Sequence, residues 1–514
     1  MPESRTAHAA ADRSFQIALR GLGGELHPPR HASIGRQHPC SRATPRLSAA
    51  RRSAISARTD PCGRCGSFVL RCADRVSSVN GNAKMLERSL RAVWHPCTQM
   101  KHHETLPLVP ISRAEGVWLY DFEGRRILDA IGSWWVNLLG HGNPRINAAL
   151  RRQLESLEHV MLAGFTHAPA VELSERLAKL APGRLGHCFF ASDGAAAVEI
   201  ALKMSYHYWR NSGRAKSGFV TLSNSYHGET LGALSVTDIA LYRDTYAPLL
   251  RASAQVPSPD WRLAEPGETR EEYARRCAKA LEEHFERHAA ETAALIVEPL
   301  VQCAGGMAMY DPGYLRHARE LCDRFDVHLI ADEIAVGFGR TGTLFACEQA
   351  GIAPDFLCLS KGLTGGYLPL SVVLATDRVY QAFYDDKLER GFLHSHSYSG
   401  NPLACRAALT VLDILEEEKV LERNRNTAAI LNRRAENLRS HRRVAHFRNT
   451  GMIWAFDVRE AKPGFSRDFY RRAVETGVLL RPLGATVYWM PPYVIGEPEI
   501  DFLLDAVTRL LDGG

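Results

Sequence analysis

The stretch VHLIADE at residues 327–333 decides the fold class of this chain. It is a short, mostly apolar run that leads directly into two carboxylates, Asp332 and Glu333. A second run, FLCL at residues 356–359, leads through a serine into Lys361. Ligands of open parallel sheets lie beyond the carboxyl ends of the strands, where such charged residues would stand. The two runs therefore predict strands that bring an acid and an amine to one crevice.

Similar apolar runs alternate with segments of helical period through the middle of the chain. This alternation predicts βαβ units and an α/β fold, with a mainly parallel sheet that helices cover on both faces. The C-terminal part mixes charged helices with short strands, which predicts a smaller α+β domain. The predicted strands are 188–191, 218–222, 295–297, 327–331, 356–359, 370–375, 453–458 and 487–490, and the clearest predicted helices are 195–208, 314–325 and 499–511.

Composition and charge divide the chain into a tail and a body. The 514 residues are 45% apolar, which is enough to bury a large core in two or three domains. Residues 1–84 hold 14 basic against five acidic residues without an apolar period, and they predict a disordered basic extension. We expect the body to divide into an N-terminal segment, 85–132, that joins the small domain, a large domain, 133–417, and the small domain itself, 418–514.

Three interpretations of the basic extension stay open. Its many arginines and serines and its few acids are typical of a transit peptide, and a basic arm can also bind nucleic acid. The third and favoured interpretation is upstream sequence that is not translated, with the true start at Met85. The body has 49 basic against 52 acidic residues, so no nucleic-acid partner is expected for it.

Cysteine, apolar and histidine patterns argue against several other classes of protein. The twelve cysteines are scattered, which favours reduced thiols in the cytoplasm over a disulfide framework. No run approaches the roughly 18 apolar residues that a membrane helix needs, so no membrane partner is expected. No metal is predicted, because no cysteine or carboxylate stands at metal-ligand spacing from the histidines at 102, 103, 141, 167 and 187.

Lys361 and Asp332 together match the requirements of pyridoxal 5'-phosphate (PLP) catalysis. A lysine holds PLP as a Schiff base and can move a proton on the substrate, while an aspartate keeps the pyridine nitrogen protonated. The two residues are 29 positions apart, about one βαβ unit. A plain Lys–Asp ion pair at a domain edge is the alternative, and the spacing alone does not decide between them.

A third strand end predicts a phosphate site. The run at 188–191 leads through Ser192 and Asp193 into a helix that begins near Gly194, and free N–H groups at a helix N-terminus bind phosphate. The same residues also serve as an ordinary helix cap. Tyr226 follows another predicted strand and could place its ring over the pyridine face.

With these residues assembled, the chain resembles the class III aminotransferases of fold type I. The resemblance implies a PLP-dependent enzyme whose large domain binds the cofactor and whose functional unit is a homodimer with shared active sites. The residues that carry it are 298–299, 305–306, 329–334, 337–342, 354–355, 360–362 and 400–405.

Further stretches resemble the branch of that class that acts in biotin biosynthesis. This likeness covers residues 90–510 and implies ping-pong transfer from S-adenosylmethionine to 8-amino-7-oxononanoate, giving 7,8-diaminononanoate. Another class III activity with an ω-amino acid or lysine as donor, and a catalytically silent PLP-binding protein, stay open as alternatives. The stretches are 94–96, 98–100, 133–135, 203–204, 481–482, 488 and 490–493.

Site residues follow from the resemblance position by position. Lys361 would carry the cofactor and Asp332 would pair with its ring nitrogen. Tyr226 would stack near the ring, with roles in catalysis and in substrate binding. Gly194 and Ala195 would contact the phosphate. Position 195 usually holds a hydroxyl residue in the family, so Ala195 would lack one hydrogen bond to the phosphate, a net loss of about 0.5–1.5 kcal/mol.

The remaining predicted residues concern the substrate and a second subunit. Trp134 and Trp135 would wall the substrate channel, although on a strand only one of two adjacent side chains would face it. Arg481 would bind the substrate carboxylate, and Arg340 would support the site. Cys97 stands where some members have a substrate-contacting Tyr, and His396 replaces a Pro or small residue. The segment Ser395, His396 and Ser397 would reach the neighbouring subunit, with Ser397 on the phosphate of its cofactor and Ser395 near its substrate.

Overall fold

The computed structural model describes residues 81–106 and 108–513. The extension predicted over 1–84 lies outside these residues except for its last four, and of those, 82–84 belong to the helix Asn82–Ala92. Within the described residues, no helix combines the length and apolar content needed to cross a membrane. The eight cysteines of this part are all free thiols.

The described residues form sixteen strands in four sheets. In chain order the strands are β1 Ile111–Glu115, β2 Trp118–Asp121, β3 Arg126–Asp129, β4 His187–Ala191, β5 Gly218–Leu222, β6 Ala254–Val256, β7 Thr292–Val297, β8 Val301–Gln302, β9 Ala308–Met309, β10 His328–Asp332, β11 Phe356–Leu359, β12 Ser371–Ala375, β13 Val444–Thr450, β14 Ile453–Val458, β15 Val478–Leu479 and β16 Thr486–Trp489.

Fourteen right-handed α-helices, one left-handed turn at Gly132–Trp135 and six short 3₁₀ segments connect these strands in the described part of the chain. The helices are α1 Asn82–Ala92, α2 Pro144–Leu154, α3 Ala168–Leu180, α4 Gly194–Asn211, α5 Leu231–Ser235, α6 Ala240–Arg243, α7 Arg270–His288, α8 Gly313–Arg324, α9 Asp377–Gln381, α10 Pro402–Glu417, α11 Val420–Arg434, α12 Glu436–Arg439, α13 Phe465–Glu475 and α14 Glu497–Asp512. The 3₁₀ segments are Met100–Glu104, Asp244–Leu249, Trp261–Leu263, Ala346–Ala350, Lys361–Thr364 and Leu388–Arg390.

A seven-stranded sheet in the order β4-β12-β11-β10-β7-β5-β6 forms the centre of the fold. Strand β12 is antiparallel to both of its neighbours, and the other pairs are parallel. A parallel crossover needs about a dozen residues or more, usually with a helix, and the link from β11 to β12 offers only a 3₁₀ turn and a short loop. The α/β fold with a mainly parallel sheet is therefore confirmed, with one reversed strand.

Both faces of this sheet are buried under helices. Along β10, Leu329 belongs to one apolar cluster and Ile330 to the other, because successive side chains of a strand point to opposite faces. Helix α4 covers the face of Ile330, while α7 and α8 cover the face of Leu329. Burial on both faces explains why the central strands read as continuous apolar runs in the sequence.

Two of the three smaller sheets come from the two ends of the described chain. Strands β1, β2, β3 and β15 form one, and β13, β14 and β16 form another, while β8 and β9 form a two-stranded sheet in the middle of the chain. Every strand and helix predicted above is present, with ends that differ by at most three residues. The division into large and small domains at residues 417 and 418 stays a prediction.

Candidate active site

Three neighbouring parallel strands deliver polar side chains to one edge of the central sheet. Strand β10 ends at Asp332, β11 is followed by Lys361, and β7 is followed by Glu298. The order β11-β10-β7 makes these strands adjacent. Their carboxyl ends therefore meet at the crevice where open α/β sheets bind ligands.

Lys361 presents its amine inside a cavity beside this edge. The residue opens a 3₁₀ turn with a φ of 43°, and its Nζ lies 4.7 Å from the centre of the Trp135 ring. Burial lowers the pKa of the Lys361 amine, although the thiol of Cys303 and the carboxylates of Asp332 and Glu298 oppose that shift. An amine with a lowered pKa is neutral more often, and the neutral form is the one that can act as a nucleophile or accept a proton.

Asp332 is paired with a histidine that the sequence analysis did not assign to the site. Oδ2 of Asp332 lies 2.8 Å from Nδ1 of His227, and Oδ1 accepts the N–H of Ile334 at 3.1 Å. Both side chains are buried, and Nε2 of His227 has no partner among the described residues. The dipeptide Tyr226-His227, directly after β5 and its turn, was the sequence signal that could have suggested this pair.

Glu298 is a second carboxyl that sequence reasoning missed as a functional candidate. It is buried and accepts the N–H groups of Tyr226 and Cys303, each at 3.0 Å. Burial raises the pKa of the Glu298 carboxyl to about 7. The rule that singled out Asp332, a carboxylate directly after a buried strand, would also have found Glu298.

The raised pKa of Glu298 makes the free energy of unfolding depend on pH. Between about pH 4.5 and about pH 7 the folded state keeps a proton that the unfolded state releases, so stability falls as the pH rises through this range. Across this range the wild type should lose on the order of 3 kcal/mol of its free energy of unfolding through this group. We expect Glu298→Gln to remove that loss. Denaturant unfolding at both ends of the range measures it, with Glu286→Gln on the exposed surface as the control. Equal pH slopes for Glu298→Gln and wild type would contradict the assignment.

The cavity beside the sheet edge has a volume of about 870 Å³ and brings together residues from distant parts of the chain. Aromatic and apolar side chains form most of its wall, including Tyr242, Tyr470 and Tyr488. A site of this size and composition suits a small molecule with a long apolar part. Six of the predicted site residues line it: Cys97, Trp134, Trp135, Tyr226, Lys361 and Arg481.

The two adjacent tryptophans both line the cavity, which corrects the expectation that at most one would. The expectation assumed a strand, but Trp134 and Trp135 have φ angles of 71° and 72° and belong to a left-handed turn. Successive side chains of a helical turn do not point to opposite faces as they do on a strand. One turn can therefore direct both indoles into the same space.

Arg481 supplies a guanidinium group to the cavity. The group lies 4.9 Å from the centre of the Trp134 ring, and Nη2 donates to the carbonyl oxygen of Cys97 at 3.3 Å. No carboxylate of the described residues forms an ion pair with Arg481. Its fork of donors is therefore available to an acidic ligand.

The predicted phosphate residues lie at the N-terminus of α4, outside the lining of the cavity. Asp193 caps the helix by accepting the N–H of Ala196 at 2.9 Å, so the cap interpretation also holds. The N–H groups of Gly194 and Ala195, in the first turn, have no acceptor within the helix. Gly228, with a φ of 121°, passes so close that an added Cβ would stand 2.6 Å from Cβ of Ala195. The loop that carries His227 and Gly228 therefore lies next to the N-terminus of α4.

The segment Ser395, His396 and Ser397 also lies outside the cavity lining. Nδ1 of His396 is 3.1 Å from Oγ of Ser192, which places this histidine beside the N-terminus of α4. Ser395 and Ser397 are exposed. Their predicted contact with a neighbouring subunit stays a prediction.

Comparison with known proteins identifies the family. The model of the family described as aminotransferase class III matches residues 99–511. The chain belongs to the class III aminotransferases. It is 44% identical over 442 residues to the adenosylmethionine-8-amino-7-oxononanoate aminotransferase of Helicobacter pylori, a match that covers 84% of this chain and 99% of that relative.

Solved structures of class III aminotransferases share the fold. The adenosylmethionine-8-amino-7-oxononanoate aminotransferase of Methanocaldococcus jannaschii superimposes with a TM-score of 0.79 at 32% identity, covering 84% of this chain and 99% of that one. An omega transaminase from Pseudomonas jessenii in complex with PMP gives 0.80 at 30% identity, covering 84% and 98%. This chain is a PLP-dependent aminotransferase.

The residues of this class III aminotransferase fit PLP. The cofactor needs an amine for its aldehyde, an acid for its ring nitrogen and donors for its phosphate. Lys361 is half-buried and offers its amine, and Asp332 is held by a buried histidine whose second nitrogen has no partner in the described part of the chain. The N-terminus of α4 offers N–H donors beside the same loop.

Proposed function

We propose that this aminotransferase transfers an amino group from S-adenosylmethionine to 8-amino-7-oxononanoate, giving 7,8-diaminononanoate in biotin biosynthesis. Relatives with that activity in their names match 80–84% of the chain at 39–44% identity. The observation that carries the proposal is the unpaired guanidinium of Arg481 within the aromatic wall of the cavity. The acceptor is a long aliphatic chain that ends in a carboxylate, and this arrangement suits both parts of it.

Lys361 and Asp332 are assigned the chemical steps. When bound, PLP supplies an electron sink that takes an amino group from one substrate and passes it to the other. The amine of Lys361 holds the cofactor and then moves a proton at the substrate carbon that bears the amino group. Asp332, oriented by His227, keeps a proton on the pyridine nitrogen.

Tyr226, Trp134 and Trp135 are assigned to positioning the substrate. Their rings lie in the cavity wall and exclude water from the Lys361 amine. Cys97 takes a place on the same wall, where its Sγ is 3.8 Å from the hydroxyl of Tyr242. Because transfer is ping-pong, the same cavity serves the donor and the acceptor in turn.

Gly194, Ala195, His396 and Ser397 are assigned to the phosphate, with Ser397 and Ser395 acting on the site of a second subunit. Leu393 and Tyr398, on either side of this segment, expose 73% and 65% of their surface, which supports a homodimer interface here. Sedimentation of the purified chain at several concentrations tests the dimer. The unpaired, scattered cysteines support a cytoplasmic location.

The proposed function is tested by product analysis. The full chain, loaded with PLP, is mixed with S-adenosylmethionine and 8-amino-7-oxononanoate, and the products are identified by mass spectrometry. Formation of 7,8-diaminononanoate is the expected result. Turnover with lysine or an ω-amine in place of S-adenosylmethionine, and none with the latter, would keep the aminotransferase and overturn the donor.

Arg481 is expected to determine selectivity for the carboxylate of the acceptor. Replacing it with methionine removes the bidentate, charge-assisted contact and should lower kcat/KM for 8-amino-7-oxononanoate by about 10–100-fold. For the methyl ester of the acceptor, kcat/KM should fall far less. The matched control is Arg467→Met, which removes an exposed guanidinium at the rim of the same cavity. An equal loss of kcat/KM for the acid and for its ester would count against a contact between Arg481 and the carboxylate.

A further inference from the structure

The two tryptophans of the cavity stand on strained backbone. Gly132, Ser133, Trp134 and Trp135 have φ angles of 55°, 46°, 71° and 72°. The N–H of Trp135 donates to the carbonyl oxygen of Ile131 at 2.8 Å, so these residues form one turn of a left-handed helix. Three of the four residues carry a Cβ, which crowds the backbone in this conformation. The surrounding structure must therefore hold the turn in place.

Asp129, the last residue of β3, holds the beginning of the turn. Its carboxylate is fully buried. Oδ1 accepts the N–H of Ser133 at 2.9 Å, and Oδ2 accepts the hydroxyl of Ser133 at 2.7 Å. Nε2 of His141 lies 2.9 Å from the same Oδ2. One carboxylate thus fixes both the backbone and the side chain of the first non-glycine residue of the turn.

Other elements hold the end of the turn. The buried guanidinium of Arg340 donates to the carbonyl oxygens of Asn137, at 2.9 Å, and Pro491, at 2.6 Å. The indole N–H of Trp135 donates to the hydroxyl of Tyr488 at 3.2 Å. With its end tied in this way, the turn can relax chiefly at its beginning, where Asp129 acts.

The turn places each indole against a cationic group that lines the cavity. The ring of Trp135 lies 4.7 Å from Nζ of Lys361, and that of Trp134 lies 4.9 Å from the guanidinium carbon of Arg481. The direction of a side chain follows the backbone conformation at its own residue. A turn that relaxed out of the left-handed region would move both rings.

We propose that Asp129 is a positioning residue, which holds Gly132–Trp135 in the left-handed conformation and thereby sets the places of both indoles in the cavity. Asp129 does not itself line the cavity. The effect on turnover rests on the proposed function of this cavity as the substrate site. The structural effect on the turn does not depend on which substrate is used.

The strain is tested by comparing Ser133→Gly with Ser133→Ala. Both variants lose the hydroxyl bond to Asp129, and they differ only in the Cβ. We expect Ser133→Gly to melt about 1–2 °C above Ser133→Ala, because glycine adopts positive φ without crowding. In an ordinary right-handed helix alanine is the more stable of the two. A higher melting temperature for Ser133→Ala than for Ser133→Gly would contradict the inference that this turn is strained.

The role of Asp129 is tested by comparing Asp129→Asn with Asp121→Asn. Asp121 is also buried, and its Oδ1 accepts the N–H groups of Glu123 and Arg125, each at 2.9 Å, in a turn outside the cavity. We expect Asp129→Asn to change the near-ultraviolet circular dichroism of the tryptophans. It should raise KM by about 10-fold with a smaller change in kcat and with PLP still bound. Asp121→Asn should do neither.

Two outcomes would overturn the role of Asp129. The first is that Asp129→Asn leaves the circular dichroism and KM unchanged. The second is that Asp121→Asn changes the circular dichroism and KM as much as Asp129→Asn does. If Asp129→Asn does not fold, Ser133→Ala replaces it, because it removes only the hydroxyl bond and should raise KM a few-fold. Absence of turnover in the wild type, with the dichroism difference intact, would count against the proposed substrates alone.

Discussion

Lys361→Ala is expected to lower turnover by about 10²–10⁴-fold. Among the described residues, Lys361 carries the only side-chain amine in the lining of the cavity. Its burial lowers the pKa of that amine, which raises the fraction of the amine that is neutral and able to accept a proton. Without it, no group at this position can hold the cofactor covalently or move the proton at the reacting carbon. Steady-state turnover with both substrates, at saturating PLP, measures the loss.

The matched control for Lys361 is Lys216→Met. Lys216 is a buried lysine of another part of the fold, and burial also lowers the pKa of its amine, to about 8. It contacts the carbonyl oxygen of Asp326 and lies outside the cavity. Turnover per folded molecule should stay unchanged in this variant. Turnover of Lys361→Ala within a few-fold of the wild type would refute the assignment of Lys361.

Asp332→Asn is expected to lower kcat by about 10²–10³-fold. The amide has no charge with which to keep a proton on the pyridine nitrogen, so the ring would withdraw electrons less strongly. It would also exchange one acceptor oxygen for a donor opposite His227. PLP should bind more weakly, and titration of the variant with the cofactor measures this separately from kcat.

The matched control for Asp332 is Asp355→Asn. Asp355 precedes β11, at the opposite edge of the same sheet, where Oδ2 accepts the N–H of Leu329 at 2.8 Å and pairs with Arg319 at 2.9 Å. This variant should lose stability and keep its kcat. An equal fall of kcat in both variants would mean that Asp332 acts only through the stability of the sheet.

Eight of the sixteen strands that the structure describes, six of them in the central sheet, and the first two catalytic candidates could be predicted from local sequence. A strand that is buried on both faces must be a short apolar run, and a charged residue directly after it must lie at the edge of the sheet. The positions of Asp332 and Lys361 at the sheet edge follow from this rule, and the family resemblance supplied their roles. Glu298 obeys the same rule and could have been assigned in the same way. The reversal of β12 depends on the short connection from β11.

The composition of the cavity could not be predicted from spacing. Arg481 lies hundreds of residues after Cys97 and Trp134 in the chain. Only the folded structure places it beside both of them. The resemblance to a family suggested these positions, because it carries information about folded relatives. His227 was missed because its role depends on a contact with Asp332 across 105 positions.

By itself, the sequence determined the α/β class, six of the seven strands of the central sheet and the strand-end positions of Asp332 and Lys361, because apolar periodicity and strand ends are local properties. Only the tertiary structure decided that Trp134 and Trp135 share one cavity. Their left-handed turn is unfavourable for the residues that form it and persists through contacts with Asp129 and its neighbours. A conformation that local preferences oppose cannot be deduced from those preferences.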